Sequence, residues 1–157
     1  MCLVSWFECY SIGLTGTRQG MTDRQHGVVV DLVLRSSFKE AHHGDCIGAD
    51  AEFHEILECC KDSSEFEIVI HPPTNSRQRA FCKCDRLLPE KSYTERDQDM
   101  VLASDVVLAI SLHHWEMDRS GTWNTVRFAR RKGRQILIIW PDGTTKMENQ
   151  WRNYHRW

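Results

Sequence analysis

Apolar residues along this 157-residue chain follow two rhythms. Short unbroken runs, EIVIH (Glu67 to His71), DVVLAI (Asp105 to Ile110) and QILIIW (Gln135 to Trp140), read as strands covered on both faces. Shorter runs at Ser11 to Thr15 and Lys39 to His43 read as two more. Between them the spacing is helical. Val29, Val30 and Val33 fall on neighbouring turns of a helix that Thr22 or Asp23 can cap. Phe53, Ile56, Leu57 and Cys60 make one buried stripe on a helix from about Gly48. Further helices are predicted from Tyr93 to Ser104 and from Gly121 to Lys132, the last ended by Gly133.

Strands alternating with helices predict an α/β fold: a doubly wound, mainly parallel sheet of about five strands with helices on both faces. The chain reads as a single domain over 1–157, with its core from about 11 to 141 and an aromatic, basic tail over 142–157. Thr74 to Ser92 lacks periodicity and reads as a long irregular excursion. In the tail, Trp151, Tyr154 and Trp157 are three apart and suit either a packed terminal turn or a helical face docking on another subunit.

Composition narrows the class. Hydrophobic content of 41% with 27% charged residues is that of a globular domain, and a net charge of -2 argues against a nucleic-acid coat. No apolar run is long enough for a transmembrane span, and MCLVSWFECY lacks the basic leader and cleavage site of a signal peptide. The seven cysteines form no CxxC pair, so free thiols in a reducing cytoplasm are expected, with no metal site and no cofactor.

Candidate chemistry gathers where strands give way to helices. In an open parallel sheet, ligands collect beyond the strands' C-terminal ends. The segments there are TGTRQGMT, HGDCIGAD and RSGTWNT, each with glycine or a small hydroxyl residue where a helix begins. Unpaired N–H groups and the positive end of the dipole suit an anion, above all a phosphate. Neither a Walker A loop nor a GxGxxG fingerprint is present.

The order of these segments carries a resemblance. HGDCIGADAEFHEIL is similar to a loop-helix of DNA-processing protein A, with Gly44, Gly48, Asp50, His54 and Leu57 at its G-x-x-x-G-x-D-x-x-x-H-x-x-x-L positions. YTERDQDMVLASDVVLAI resembles that family's arginine-bearing segment, with Arg96 at the arginine and Asp97 where asparagine is common. RSGTWNTVRFARRKGRQILIIWP resembles its S-G-[ST] segment, and Gly16 to Arg18 fits its G-[ST]-R motif. The combination places the chain with the SLOG superfamily, the Rossmann-like group that joins DNA-processing protein A to the Lonely Guy enzymes, as a small stand-alone member.

That resemblance implies a bacterial or phage protein, often a homodimer or larger assembly. Its ligand would be a nucleotide, a nucleotide-derived molecule or single-stranded DNA. It carries ligand contacts onto Gly16, Thr17, Arg18, Gly44, Asp45, Gly48, Asp50, Arg96, Ser120, Gly121 and Thr122. Ser120, Gly121 and Thr122 would hold a phosphate, with Thr17 and Arg18 on the same or a second one. Gly44 and Gly48 would let the backbone approach the ligand, and Asp50 would either cap its helix or accept from a ribose hydroxyl. Arg96 either adds a positive contact or pairs with Asp97 or Asp50. His54 reads as a hydrogen-bonded helix histidine. A base would stack on Trp115, Trp123 or Trp140, the last disfavoured by its strand context.

Lonely Guy enzymes carry P-G-G-x-G-T-x-x-E. Here Gly121-Thr122 matches, but Asn124 and Thr125 fill the region of the acid. The reading is therefore a nucleotide-binding sensor, sequestering protein or accessory factor. N-glycosidic hydrolysis remains as an alternative that would recruit Asp45, Asp50, Asp97 or Glu116. Binding of single-stranded DNA through Arg127, Arg130, Arg131, Lys132 and Arg134, with Arg77 and Arg79, is a further one; a solvated face at a helix C-terminus explains the helical cluster more simply.

Overall fold

The computed structural model describes residues 5–61 and 65–149. Seven strands lie in the order β4-β3-β2-β1-β5-β6-β7. They are β1 (Ser11–Gly16), β2 (Glu40–His43), β3 (Glu67–Ile70), β4 (Arg86–Leu87), β5 (Val106–Ile110), β6 (Gln135–Ile139) and β7 (Thr145–Glu148). All neighbours pair in parallel except β6 and β7. The helices are α1 (Asp23–Leu34), α2 (Ala49–Cys60), α3 (Tyr93–Ala103) and α4 (Gly121–Arg131).

Side chains alternate across each strand, and the two cores show it. Val106, Leu108 and Ile110 of β5 pack with Val29, Leu32, Phe53 and Leu57 of α1 and α2. Val107 and Ala109 face the other way, onto Met100 and Val101 of α3 and Trp123, Val126 and Ala129 of α4. The doubly wound sheet is as the apolar runs require. Two strands exceed the expected five. The two residues of β4 are exposed and carry no apolar signal. β7 lies within the segment read as a tail and closes the sheet as an antiparallel edge. Trp151, Tyr154 and Trp157 lie outside the described residues.

Helix ends follow local chemistry. Thr22 caps α1 in a reciprocal box with Gln25, and Ser92 does the same for α3 with Glu95. Gln25 does more. It is buried, and its amide donates to the carbonyls of Ser111 (2.8 Å) and Ile139 (3.0 Å), pinning α1 to the ends of β5 and β6. Gln25→Leu should cost about 1–2 kcal/mol in urea denaturation, because the buried Ser111 carbonyl loses its donor, while that of Ile139 keeps the Ser111 N–H. A loss below about 0.5 kcal/mol would mean that water satisfies it instead.

Connections from β1 lead outward to β2, β3 and β4, whereas β5 leads the other way to β6 and β7. Winding therefore reverses between β1 and β5. Their C-terminal ends, where Gly16 pairs with Ile110, form the crevice in which such sheets place ligands.

Candidate functional site

Three segments surround this crevice, and they differ in what their helix N-termini offer. At α1 the Thr22 box holds the Gln25 N–H, and its Asp23 and Arg24 amides border none of the cavities at this crevice. At α2 the N-cap is Gly48, without a side-chain cap, yet that end is closed. Ala49 N–H donates to the Thr17 carbonyl at 3.0 Å. In return Glu52 of α2 accepts from Met21 N–H at 2.8 Å, so loop 17–21 is tied down by α2. What the α2 terminus holds is the neighbouring loop.

At α4 Ser120 caps the helix, as Thr22 caps α1, but this end faces a cavity. Ser120 Oγ accepts from Trp123 N–H, and no acceptor among the described residues meets the amides of Gly121 and Thr122. Thr17, Arg18, Arg119 and Thr122 border a cavity of about 350 Å³ at this terminus. A second, smaller cleft of about 90 Å³ continues inward past Gly16, Gly44, Asp50, Arg96, Asp97 and Tyr93. Arg18 is exposed, and its guanidinium rests 5.1 Å from the centre of the Tyr93 ring. The Arg96 guanidinium sits 5.4 Å from the same ring centre.

Arg96 is the hub beneath. It is buried, and its Nη1 donates to the Gly44 carbonyl and, at 3.4 Å, to that of His71. Nη2 lies 3.2 Å from Cys46 Sγ, and Nε pairs with Asp97 Oδ1 at 2.8 Å, too poorly aligned for a good hydrogen bond. Of the open possibilities for Arg96, the pairing with Asp97 is formed, and the residue also lines the cleft. Gly44 is required here, since a Cβ would stand 1.5 Å from Arg96 Nη1.

Two other candidates stand back from the cleft. Asp45 is fully buried, and its carboxylate accepts from Arg79 Nε at 2.8 Å and Cys82 N–H at 2.9 Å. It straps the excursion over loop 44–48, helped by Ile47 N–H donating to Gln78 O and Ala80 N–H to Asp45 O. Asp45 is thus spent on structure. Gly48, with φ of +89°, lies against Arg18, whose carbonyl oxygen a Cβ would meet at 2.4 Å. It shapes the loop from behind. Asp50 lines the cleft, and its carboxylate accepts from Cys46 N–H at 3.1 Å, within its own first turn. His54 meets His43 at 3.0 Å, a buried helix histidine as expected.

Burial pushes the carboxyls of Asp50 and Asp97 up to about 6; Arg96 opposes the rise at both, and Thr125 also does at Asp97. At intermediate pH the native state then keeps protons that the unfolded chain has released. Stability from these groups falls as pH climbs from about 4 through 6. Asp97→Asn should therefore gain on the wild type by about 2 kcal/mol between pH 4 and pH 7. Urea denaturation at both values measures the gap; an unchanged gap would contradict the assignment.

Sequence reasoning missed Tyr93, Arg119 and Cys46 as cleft residues. Tyr93 was within reach, standing one turn before Arg96 and Asp97 on the same helix face. Of the aromatic candidates, Trp123 borders the outer cavity but is buried against Trp140, and exposed Trp115 stacks on His113. Cys9, Cys46, Cys59, Cys82 and Cys84 are free thiols. Among the described residues, no group of three or more His, Cys, Asp and Glu side chains could hold a metal, and no helix is long and apolar enough to cross a membrane.

No family model matches the sequence, and no curated protein does. Solved structures do match in shape. The molybdenum cofactor binding protein of the phototrophic bacterium Rippkaea orientalis superposes with a TM-score of 0.60, over 82% of this chain and 75% of that one, at 17% identity. A structure designated TM1055 gives 0.53, over 81% and 72%, at 12% identity. The fold is Rossmann-like. At such identities the likeness concerns architecture alone.

Proposed function

We propose that this domain binds a nucleotide or nucleotide-derived small molecule by its phosphate, as a sensor, sequestering protein or accessory factor of SLOG type. The observation that carries the proposal is the cavity in front of the α4 N-terminus. Two unsatisfied amides, the Thr122 hydroxyl and Arg18 border one cavity, beside the crevice between β1 and β5. Dipole, donors and an available cation together suit a phosphate. One structural neighbour is a cofactor-binding protein, which agrees with a small-molecule ligand.

A second reading, N-glycosidic hydrolysis, is favoured by one observation. Thr125 stands where the Lonely Guy signature has its glutamate, and the carboxylate of Asp97, which lines the cleft, borders the same cavity as Thr125. A carboxylate has thus come from α3 to the place that α4 leaves without one. Asp45 and Glu116 are less suited, since Arg79 occupies the first and Arg127 and Arg130 the second. DNA binding gains nothing, because Arg127 and Arg130 of the basic face are already paired with Glu116 and Glu148.

A thermal-shift screen of nucleotides, cyclic nucleotides, ADP-ribose derivatives and the molybdenum cofactor tests both. Each stabilising compound is incubated and its products separated by chromatography. A compound recovered intact supports binding; release of free base and sugar phosphate supports hydrolysis. No stabilising compound would count against the site.

A further inference from the structure

The phosphate cleft opens sideways into a second cavity that the phosphate reading leaves unused. It has a volume of about 330 Å³ and lies between α3 and α4. Tyr93, Asp97 and Gly121 border both this cavity and the inner cleft, so the two adjoin. The inner cleft, at about 90 Å³, is too small for a heterocyclic base. The space between the helices is the size of a small-ligand site.

Its lining has a definite chemistry. Along α4 the residues Gly121, Asn124, Thr125 and Phe128 recur at helical spacing, and α3 contributes Asp97 and Gln98. Two side-chain amides thus face one apolar ring. An amide both donates and accepts, which matches the mixed edge of a nucleobase and not an aliphatic tail or a second phosphate. Gln98 has no partner among the described residues. Asn124 uses only its Oδ1, accepting from Arg127 at 2.7 Å, and its NH₂ group remains to donate. Phe128 supplies an apolar surface, with the Arg131 guanidinium 5.7 Å from its ring centre. From Gly121 to Phe128 the helix advances about 10 Å, comparable to the reach of a nucleoside monophosphate from phosphate to base.

We propose that the groove between α3 and α4 is a nucleobase subsite, read by Gln98 and Asn124, with the ligand's sugar passing over Gly121 beside Asp97. The assignment rests on the phosphate reading and deepens it: the ligand is a nucleotide whose base is recognised, held by both ends along α4.

Calorimetric titration of the full chain with ribose 5-phosphate, AMP, GMP, CMP and UMP tests it. At least one nucleotide is expected to bind about tenfold or more tightly than ribose 5-phosphate. In the double variant Gln98→Ala, Asn124→Ala that advantage falls to about twofold or less, with affinity for ribose 5-phosphate unchanged. Both positions lie on the helix surfaces that line the groove, and circular dichroism and melting confirm the fold. A preference that survives the double variant overturns the subsite. So does binding of ribose 5-phosphate with no added benefit from any base, which leaves the phosphate reading standing. Failure of all five probes removes the phosphate reading, and the subsite with it. A groove filled by a second copy of the chain gives the overturning result, since base preference would then not depend on Gln98 and Asn124.

Discussion

Arg18→Ala combined with Thr122→Ala is expected to weaken binding of any phosphate-bearing ligand by about a hundredfold or more while the protein stays folded. The Arg18 side chain is exposed, resting on the Tyr93 ring, and its backbone contact with Gly48 survives the substitution, so its loss removes little from the folded state. A charge-assisted bond from its guanidinium to phosphate is worth about 1.5–3 kcal/mol, and the Thr122 hydroxyl adds about 1 kcal/mol. The sum is roughly two to three powers of ten in affinity. The α4 amides remain in the variant, so a weak residual affinity for phosphate is consistent with the site. Calorimetry on the folded double variant, with a compound found in the thermal-shift screen, makes the comparison. Full retention of affinity would remove Arg18 and Thr122 from the site.

Arg96→Met is expected to cost about 3–5 kcal/mol and lower the melting temperature by about 10 °C. The guanidinium holds the carbonyls of Gly44 and His71 and stands between Asp97 and Asp50, all of them buried or nearly so. Methionine fills much of the volume but leaves two carboxyls without the charge that opposes their rise. The sign of the pH dependence separates this cause from simple loss of packing. With Arg96 gone, Asp50 and Asp97 rise further, so the native state holds its protons to higher pH. The variant's deficit should therefore shrink toward pH 4 and grow toward pH 8. Denaturation at the two values measures it. A deficit that does not vary with pH would assign Arg96 to packing and carbonyl satisfaction alone.

How far the sequence shows this molecule depends on the range of the interaction. DVVLAI and QILIIW are long apolar runs, and no arrangement but a doubly covered strand buries them well; they became β5 and β6. β7 was missed because an edge strand needs only one covered face, and TKME offers Met147 alone as an apolar contact. The cap at Thr22 was legible because a cap is a contact across three residues. Which helix end meets a cavity was not. The α2 terminus is closed by the Thr17 carbonyl, from a residue more than thirty positions away, through a backbone group that no side-chain pattern records. The same holds for Asp45. The resemblance carried a ligand contact onto it, but Arg79 Nε and the Cys82 N–H from the excursion donate to its oxygens. Arg96 was legible as a residue, and its double duty was only open alternatives until the carbonyls of Gly44 and His71 were in place.

The most direct test of a phosphate site at α4 is to watch the amides themselves. Ribose 5-phosphate is titrated into the isotopically labelled protein and the backbone N–H resonances are followed. A phosphate in the cavity at α4 requires that Gly121 and Thr122 move first and furthest, with Thr17 and Arg18 beside them, while the first turns of α1 and α3, which do not border that cavity, stay fixed. Saturable shifts elsewhere, with Gly121 and Thr122 unmoved, would contradict the site.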